Sequence, residues 1–250
     1  MEFAAAARRI ATEYKTLYAL GGFGAPLNAK NKKRYSTNRD YNRAPARAQK
    51  ILAASEDTFA FDCVGLIKGL LWGWRGDKTM TYGGATYRAD GVPDSGADAF
   101  FASCTEKSDD FSNLAVGEML WMSGHCGIYL GDGVAAESTP IWADGVQLTA
   151  VANLGTRAGL PARRWTRHGR IPYLTYRAGE QAEKTPIRVG SRVRLREGAK
   201  VWGKTYGFSA WVYEVPLFVR SLSDCRAVVS TGETGAVTGA ADIADLIPEK

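Results

Sequence analysis

Residues 117–138, GEMLWMSGHCGIYLGDGVAAES, constrain what this chain can fold into more than any other stretch. Residues 119–122 and 125–130 read as two short strands joined by Ser123-Gly124. Gly131-Asp132-Gly133 then makes a tight turn into a third strand over residues 134–138. With that turn as a hairpin, His125 and Glu137 fall on adjacent strands, within reach of each other if both point to one face. A further strand is expected around residues 145–148, and residues 170–176 read as the last strand of this region.

The chain ahead of that run is helical in character. Residues 2–20 read as a helix, Gly21 to Pro26 (GGFGAP) as a loop, and residues 27–44, rich in Asn, Lys, Arg and Tyr, as a surface insertion. A helix is expected over residues 45–55, with Pro45 tolerated in its first turn. From Asp62 to Trp72 the apolar positions are nearly continuous, which predicts a buried helix. Its Gly65 and Gly69 leave one face bare, so that a sheet can pack close. A Gly-rich connection over 73–95 leads to a helix over 96–103.

Behind the strands, RAGEQAEKTP is polar with Gly and Pro and reads as a linker. Beyond it, short β-type runs recur at 191–195, 211–215, 217–221 and 226–230, punctuated by Gly, Pro and Asp, which suggests a small β-barrel. The expected architecture is α+β, with a domain over residues 1–178, a linker over 179–186 and a small all-β domain over 187–250.

Composition removes several function classes. Hydrophobic residues make up 45% of the 250 and charged residues 23%, as in a globular protein. No apolar run approaches the roughly 20 residues that span a bilayer, and the first residues lack the pattern of a secretory signal peptide. The net charge of +6 suits a polyanionic partner, either nucleic acid or an anionic cell wall. RNA-binding fingerprints, zinc-finger spacing and a long basic helix are absent from the sequence, so no nucleic-acid partner is expected. Four scattered cysteines and two histidines, with no CxxC or HExxH, give neither a disulfide framework nor a metal site; no metal or cofactor is expected.

Cys63 opens the buried helix after Asp62, where the unpaired N–H groups of a helix N-terminus stabilise a thiolate. Its alternative reading is a small core residue. His125 stands at a strand mouth beside Ser123 and Gly124, where it can face a groove on a neighbouring helix or simply hydrogen-bond to backbone at an edge. Glu137 can fix the imidazole tautomer, or be a solvent-facing charge. Asp62 is either the helix cap or a substrate contact. His168, in RRWTRHGRIPYL, reads as a surface histidine. Trp72, Trp74, Trp121 and Trp165 read as core or groove wall, and Trp142 as an exposed ring near Glu137.

FDCVGLIKG (Phe61 to Gly69) resembles the nucleophile motif of the NlpC family, papain-like cysteine peptidases of bacterial cell walls. GEMLWMSGHCGIYLGDG is similar to that family's histidine motif, and TLYALGG to its tyrosine motif upstream of the cysteine. The resemblance implies a papain-like fold with Cys63 as nucleophile, His125 as base, Glu137 as third polar residue and Tyr18 helping to hold the oxyanion, while Asp62, Ser123, Gly124 and Trp142 would contact substrate. Val64 departs from the family's serine, Glu118 from its aspartate and Cys126 from its valine, here a small buried apolar substitute. The stretch from Gly22 to Phe61 is longer than the family's.

Residues 187–250 resemble a bacterial Src-homology-three-like wall-binding domain, in which Trp202, Tyr206, Trp211 and Tyr213 would form an aromatic groove. Together the resemblances imply a phage-endolysin-like peptidoglycan hydrolase, made in the host cytoplasm and released through a holin, with wall polymers as its partner. The family's usual bond joins D-glutamate to the third stem residue, and the N-acetylmuramoyl-L-alanine amide is the alternative. A non-catalytic wall-binding protein and a papain-like lipid acyltransferase are the other classes. The sequence sets no oligomeric state.

Overall fold

The computed structural model describes residues 2–176, 187–223 and 226–249. The chain divides into two compact units, Met1–Gln181 and Ala182–Lys250. The expected linker over 179–186 lies outside the described residues, as does Cys225.

The first unit begins with α1 (Glu2–Glu13), whose buried Ala4, Ala7 and Ile10 recur at helical spacing on one face. The expected helix over 2–20 is therefore too long. After α1 the chain turns into β1 (Thr16–Tyr18), which pairs in parallel with β3 (Phe59–Phe61), and β2 (Phe23–Pro26) lies antiparallel on the other side of β3. Between β2 and β3 the insertion folds as α2 (Ala29–Thr37), α3 (Asp40–Arg43) and α4 (Pro45–Ala53). Asn28 caps α2 by accepting from Asn31 N–H, and Pro45 sits in the first turn of α4 as expected.

Straight after β3 comes α5 (Cys63–Leu71), followed by α6 (Ala97–Ser103). The strands after it are β4 (Thr105–Ser108), β5 (Met119–Met122), β6 (His125–Gly131), β7 (Val134–Thr139), β8 (Gly145–Val151), β9 (Ala162–Arg163) and β10 (Arg167–Arg170). They form one curled half-barrel sheet in the order β4-β10-β5-β6-β7-β8-β9, antiparallel except where β8 meets β9. The two glycine turns have the positive φ that only glycine adopts freely: Gly124 at 73° and Gly131 and Gly133 at 91° and 69°. The last strand is β10, earlier than the expected 170–176.

Leu66 and Ile67 of α5, fully buried, pack with Met119, Ile128 and Ala136 of the sheet and with Ala7 and Ile10 of α1. The bare glycine face of α5 takes a strand in close contact, as expected, and that strand is β2 of the small sheet. A Cβ on Gly65 would stand 1.8 Å from the Gly22 carbonyl oxygen, and one on Gly69 2.6 Å from that of Phe23. The backbone entering β2 thus crosses the helix in direct contact, and the large sheet packs on the other face.

The second unit is an antiparallel sheet of five strands, β11 (Arg192–Leu195), β12 (Leu217–Ser223), β13 (Arg226–Ser230), β14 (Gly239–Asp242) and β15 (Leu246–Pro248), in the order β14-β13-β12-β11-β15. Its core is Val193, Leu195, Val212, Leu217, Val219, Ala227 and Val229. Of residues 211–215, expected as a strand, all but Val215 belong instead to a short helix, α7 (Ala210–Glu214), which buries Val212. No helix among the described residues is long and apolar enough to cross a membrane.

Candidate functional site

The site is built where β3 runs into α5. Asp62 is the N-cap: one carboxylate oxygen accepts from Gly65 N–H at 2.6 Å and the other from Gly21 N–H at 2.6 Å. Both oxygens of this buried side chain are thus spent on backbone, as the capping alternative requires. Burial pushes its carboxyl up to about 6 with help from the charge of Cys63, against the two N–H bonds that pull it down. Ser138 Oγ donates to the Phe61 carbonyl at 3.0 Å and ties β7 to the strand that delivers Cys63.

Cys63 is 6% exposed at the first turn of α5, with Sγ 4.0 Å from the Gly124 carbonyl oxygen. Its thiol is held down to about 4. The largest cause is a hydrogen bond from Cys126; the His125 hydrogen bond and charge add to it, and burial opposes. Cys126 is fully buried, as expected of an apolar substitute. Burial and the Cys63 charge drive the Cys126 thiol upward, so it keeps its proton and donates it.

His125 lies at the first position of β6. Ile128 faces Ala136 and Tyr129 faces Ala135, which makes His125 and Glu137 diagonal neighbours on β6 and β7. His125 Nε2 meets Glu137 Oε2 at 2.7 Å, leaving Nδ1 as the ring nitrogen available to Cys63. Burial pulls the imidazole down, but the hydrogen bonds and charges of Cys63 and Glu137 outweigh it and raise the group above its usual range. Trp165, 2% exposed, stacks parallel to the imidazole at 5.5 Å.

Glu137 is fully buried, not a solvent-facing charge. Besides His125 it accepts from Thr149 Oγ1 at 2.8 Å and from Arg163 Nε, at 2.9 Å on Oε1 and 2.6 Å on Oε2. Burial alone would raise its carboxyl, but the His125 and Arg163 bonds prevail and keep it ionised. Arg163 in turn lies over the Trp142 ring at 4.9 Å and the Trp165 ring at 5.6 Å. Trp142 is 48% exposed with φ of 59°, so the exposed ring expected near Glu137 is there, linked to it through Arg163.

Tyr18, at the end of β1, is close enough to Cys63 and Asp62 to feel both. Burial first, then the charges of those two groups, raise its phenol, which stays protonated. Gly124 N–H and Trp121 Nε1–H both donate to Asp98 Oδ1 at 2.8 Å, pinning the turn ahead of His125 to α6, while Ser123 is exposed on that turn. Beside Asp62 and Val64, the two chain neighbours of Cys63, opens a cleft of about 660 Å³, also lined by Arg34, Arg39 and Lys68.

His168 corrects the expectation of a surface residue. It is 3% exposed, with Nδ1 on Glu118 and Nε2 on the Asp110 carbonyl oxygen at 2.9 Å. In the second unit, Trp202, Tyr206 and Trp211 are exposed. Tyr213 is only partly exposed and its hydroxyl is committed, donating to the Ala199 carbonyl at 2.6 Å and accepting from Phe208 N–H at 2.9 Å.

The structure therefore brings Tyr18, Asp62, Cys63, Gly124, His125, Glu137 and Trp142 together in the first unit. Sequence reasoning missed Arg163, Thr149 and Asp98 at this site. Arg163 gave only a weak signal, as one of a small basic cluster, because its carboxylate partner lies far off in the chain. Among the described residues no group of three or more His, Cys, Asp or Glu side chains could hold a metal ion. Comparison with known protein families, with curated proteins and with solved structures finds no match to this chain.

Proposed function

We propose that the chain is a thiol hydrolase of bacterial peptidoglycan, papain-like in its first unit and Src-homology-three-like in its second. The observation that carries this is a helix-N-terminal thiol held down to about 4 beside an imidazole whose other nitrogen rests on a buried, ionised glutamate. Such an arrangement sustains a thiolate–imidazolium pair at neutral pH. The three motifs that resemble the NlpC family supply the substrate class.

The Cys63 thiolate attacks a peptide carbonyl carbon, and the C=O electron pair moves onto oxygen. Cys63 N–H and the protonated Tyr18 hydroxyl are the donors for that oxyanion. Collapse expels the amine, which takes its proton from the His125 imidazolium and leaves a thioester. His125 then removes a proton from water, hydroxide adds to the thioester, and the Cys63 thiolate departs. Glu137 keeps the ring oriented throughout, and Arg163 keeps Glu137 ionised. The bond assigned is the γ-D-glutamyl linkage to the third stem residue. Trp202, Tyr206 and Trp211 are the wall contacts of the second unit.

The test is digestion of purified peptidoglycan from several Gram-positive species with wild type and Cys63→Ala, with fragments identified by mass spectrometry. Stem-peptide fragments with a new amino terminus on the third residue, released by wild type alone, are expected. New L-alanine amino termini would reassign the bond to the muramoyl–alanine amide. No fragments from any wall would overturn the reading.

A further inference from the structure

The cleft lined by Asp62 and Val64, the chain neighbours of Cys63, carries charges that the hydrolytic site does not use. Its two carboxylates are already satisfied. Asp62 accepts two backbone N–H bonds, and Asp94 accepts from Lys68 Nζ on one oxygen and from Tyr87 Oη at 2.9 Å on the other. Lys68 is spent as well: it is 7% exposed and also donates to the Ser95 carbonyl at 3.0 Å.

Two guanidinium groups remain. Arg34 donates Nη1 to the Tyr82 hydroxyl at 3.0 Å and lies over the Tyr82 ring at 5.3 Å, which holds its plane without meeting a carboxylate. Arg39 has no side-chain hydrogen bond or ion pair among the described residues, and its Nε lies 3.9 Å from where a Cβ on Gly21 would stand. Gly21 is the residue whose N–H holds Asp62, so Arg39 is two contacts from Asp62, the residue before the nucleophile. Its backbone is held at φ 54° and ψ 135°, a conformation strained for a non-glycine residue. Both arginines come from the insertion between β2 and β3.

We propose that this cleft is a carboxylate subsite in which Arg39 and Arg34 bind an acidic group of the substrate peptide next to the scissile bond. Guanidinium matches carboxylate in a planar, two-pronged geometry, and these are the only uncommitted charges among the described lining residues. The inference rests on the peptidoglycan reading, which supplies the ligand: a γ-linked glutamate keeps its α-carboxylate free beside the bond that is cut. Walls in which that carboxylate is converted to a carboxamide would be poor substrates.

Two measurements on the full chain separate this inference from the reading beneath it. The first compares hydrolysis of matched stem peptides bearing the free α-carboxylate or the carboxamide. Wild type is expected to favour the carboxylate roughly 10- to 100-fold, the span of a charge-assisted pair. Arg39→Gln should bring the carboxylate peptide down to the level of the carboxamide peptide, and Arg34→Gln partway. Arg9→Gln, which removes an exposed arginine paired with Glu13 on α1, should leave the preference intact. Arg39→Gly should abolish the preference while raising the melting temperature, because it relieves the backbone strain.

The second measurement is calorimetric binding of the carboxylate peptide to Cys63→Ala, with and without Arg39→Gln. Weaker binding on adding Arg39→Gln upholds the subsite even if neither peptide is cut by wild type, a result that would sink the hydrolase reading alone. Equal cleavage of the two peptides by wild type, or equal binding with and without Arg39, overturns the subsite and leaves the hydrolase standing.

Discussion

Arg163→Met tests the electrostatic core of the site. Glu137 is fully buried, the Arg163 side chain is 13% exposed, and Nε reaches both carboxylate oxygens at 2.6 and 2.9 Å. Removing one partner of such a pair leaves an uncompensated buried charge, a loss of about 3–5 kcal/mol. The cation–π contacts to Trp142 and Trp165 add about 0.5–2 kcal/mol, offset in part by the apolar methionine packing against the same rings. In a domain of this size each kcal/mol lowers the melting temperature by about 2–4 °C, so a fall of roughly 6–20 °C is expected. Glu137→Gln in the same chain should recover part of that loss, because no unpaired charge then remains, and a double-mutant cycle should return a coupling above about 1.5 kcal/mol. Chemical denaturation followed by tryptophan fluorescence and by circular dichroism measures it. A loss under about 1 kcal/mol for Arg163→Met, or a double variant as unstable as the two singles added together, would refute the claim that Arg163, with His125, keeps Glu137 ionised.

Three other outcomes follow from the same geometry. Iodoacetamide labelling of Cys63, read by peptide mass spectrometry, should reach half its maximum near pH 4, and His125→Ala should move that midpoint upward. Activity falls below that pH as the thiolate protonates, and falls on the alkaline side only above the usual histidine range, because His125 is raised. His168→Ala should destabilise the fold by roughly 1–3 kcal/mol by taking from buried Glu118 its nearest partner and leaving it the Arg170 guanidinium at 3.6 Å, without moving the Cys63 midpoint. Since His168 is raised in the folded state, its contribution is fully present below pH ~6.5 and is lost as pH climbs through the folded value, so the gap to wild type should narrow in alkali. Gly65→Ala should cost about 3 kcal/mol or more, since its Cβ would overlap the Gly22 carbonyl oxygen at 1.8 Å; a stable, active Gly65→Ala would show that the chain segment entering β2 does not lie against the helix.

The meander of β5, β6 and β7 was readable to within a residue because its boundaries are local: glycines at positive φ turn the chain from β5 into β6 and from β6 into β7, and nothing distant is needed to place them. The buried helix α5 and its Asp62 cap were readable for the same reason. The expected long helix failed at Thr16, because residues 16–18 pair with β3 more than forty residues away, and such pairing leaves no periodic trace. Residues 211–215 carry β-type side chains, yet the Tyr213 hydroxyl bridging Ala199 and Phe208 holds them in a helical turn. Arg163 and Thr149 at the site, and Glu118 beneath His168, were beyond reach for one reason. Each meets its partner 12 to 50 residues away, across strands whose order the sequence does not spell out.

The chain has only two histidines, and each is bound to a buried glutamate in the same curled sheet. A histidine–carboxylate pair is therefore no mark of chemistry here; what the second ring nitrogen faces decides its role. His168 spends Nδ1 on Glu118 and Nε2 on the Asp110 carbonyl, so neither nitrogen can exchange a proton with a bound molecule. His125 spends only Nε2, and the nitrogen left over belongs to a ring at a strand mouth beside the Cys63 thiol. The same two residue types thus form a fully bonded strut in the middle of β10 and, at the start of β6, a pair whose second ring nitrogen is left for Cys63. The difference comes from strand position: the mid-strand imidazole of His168 is enclosed between a carboxylate and a backbone carbonyl, whereas the one that follows the Gly124 turn keeps an open edge toward α5.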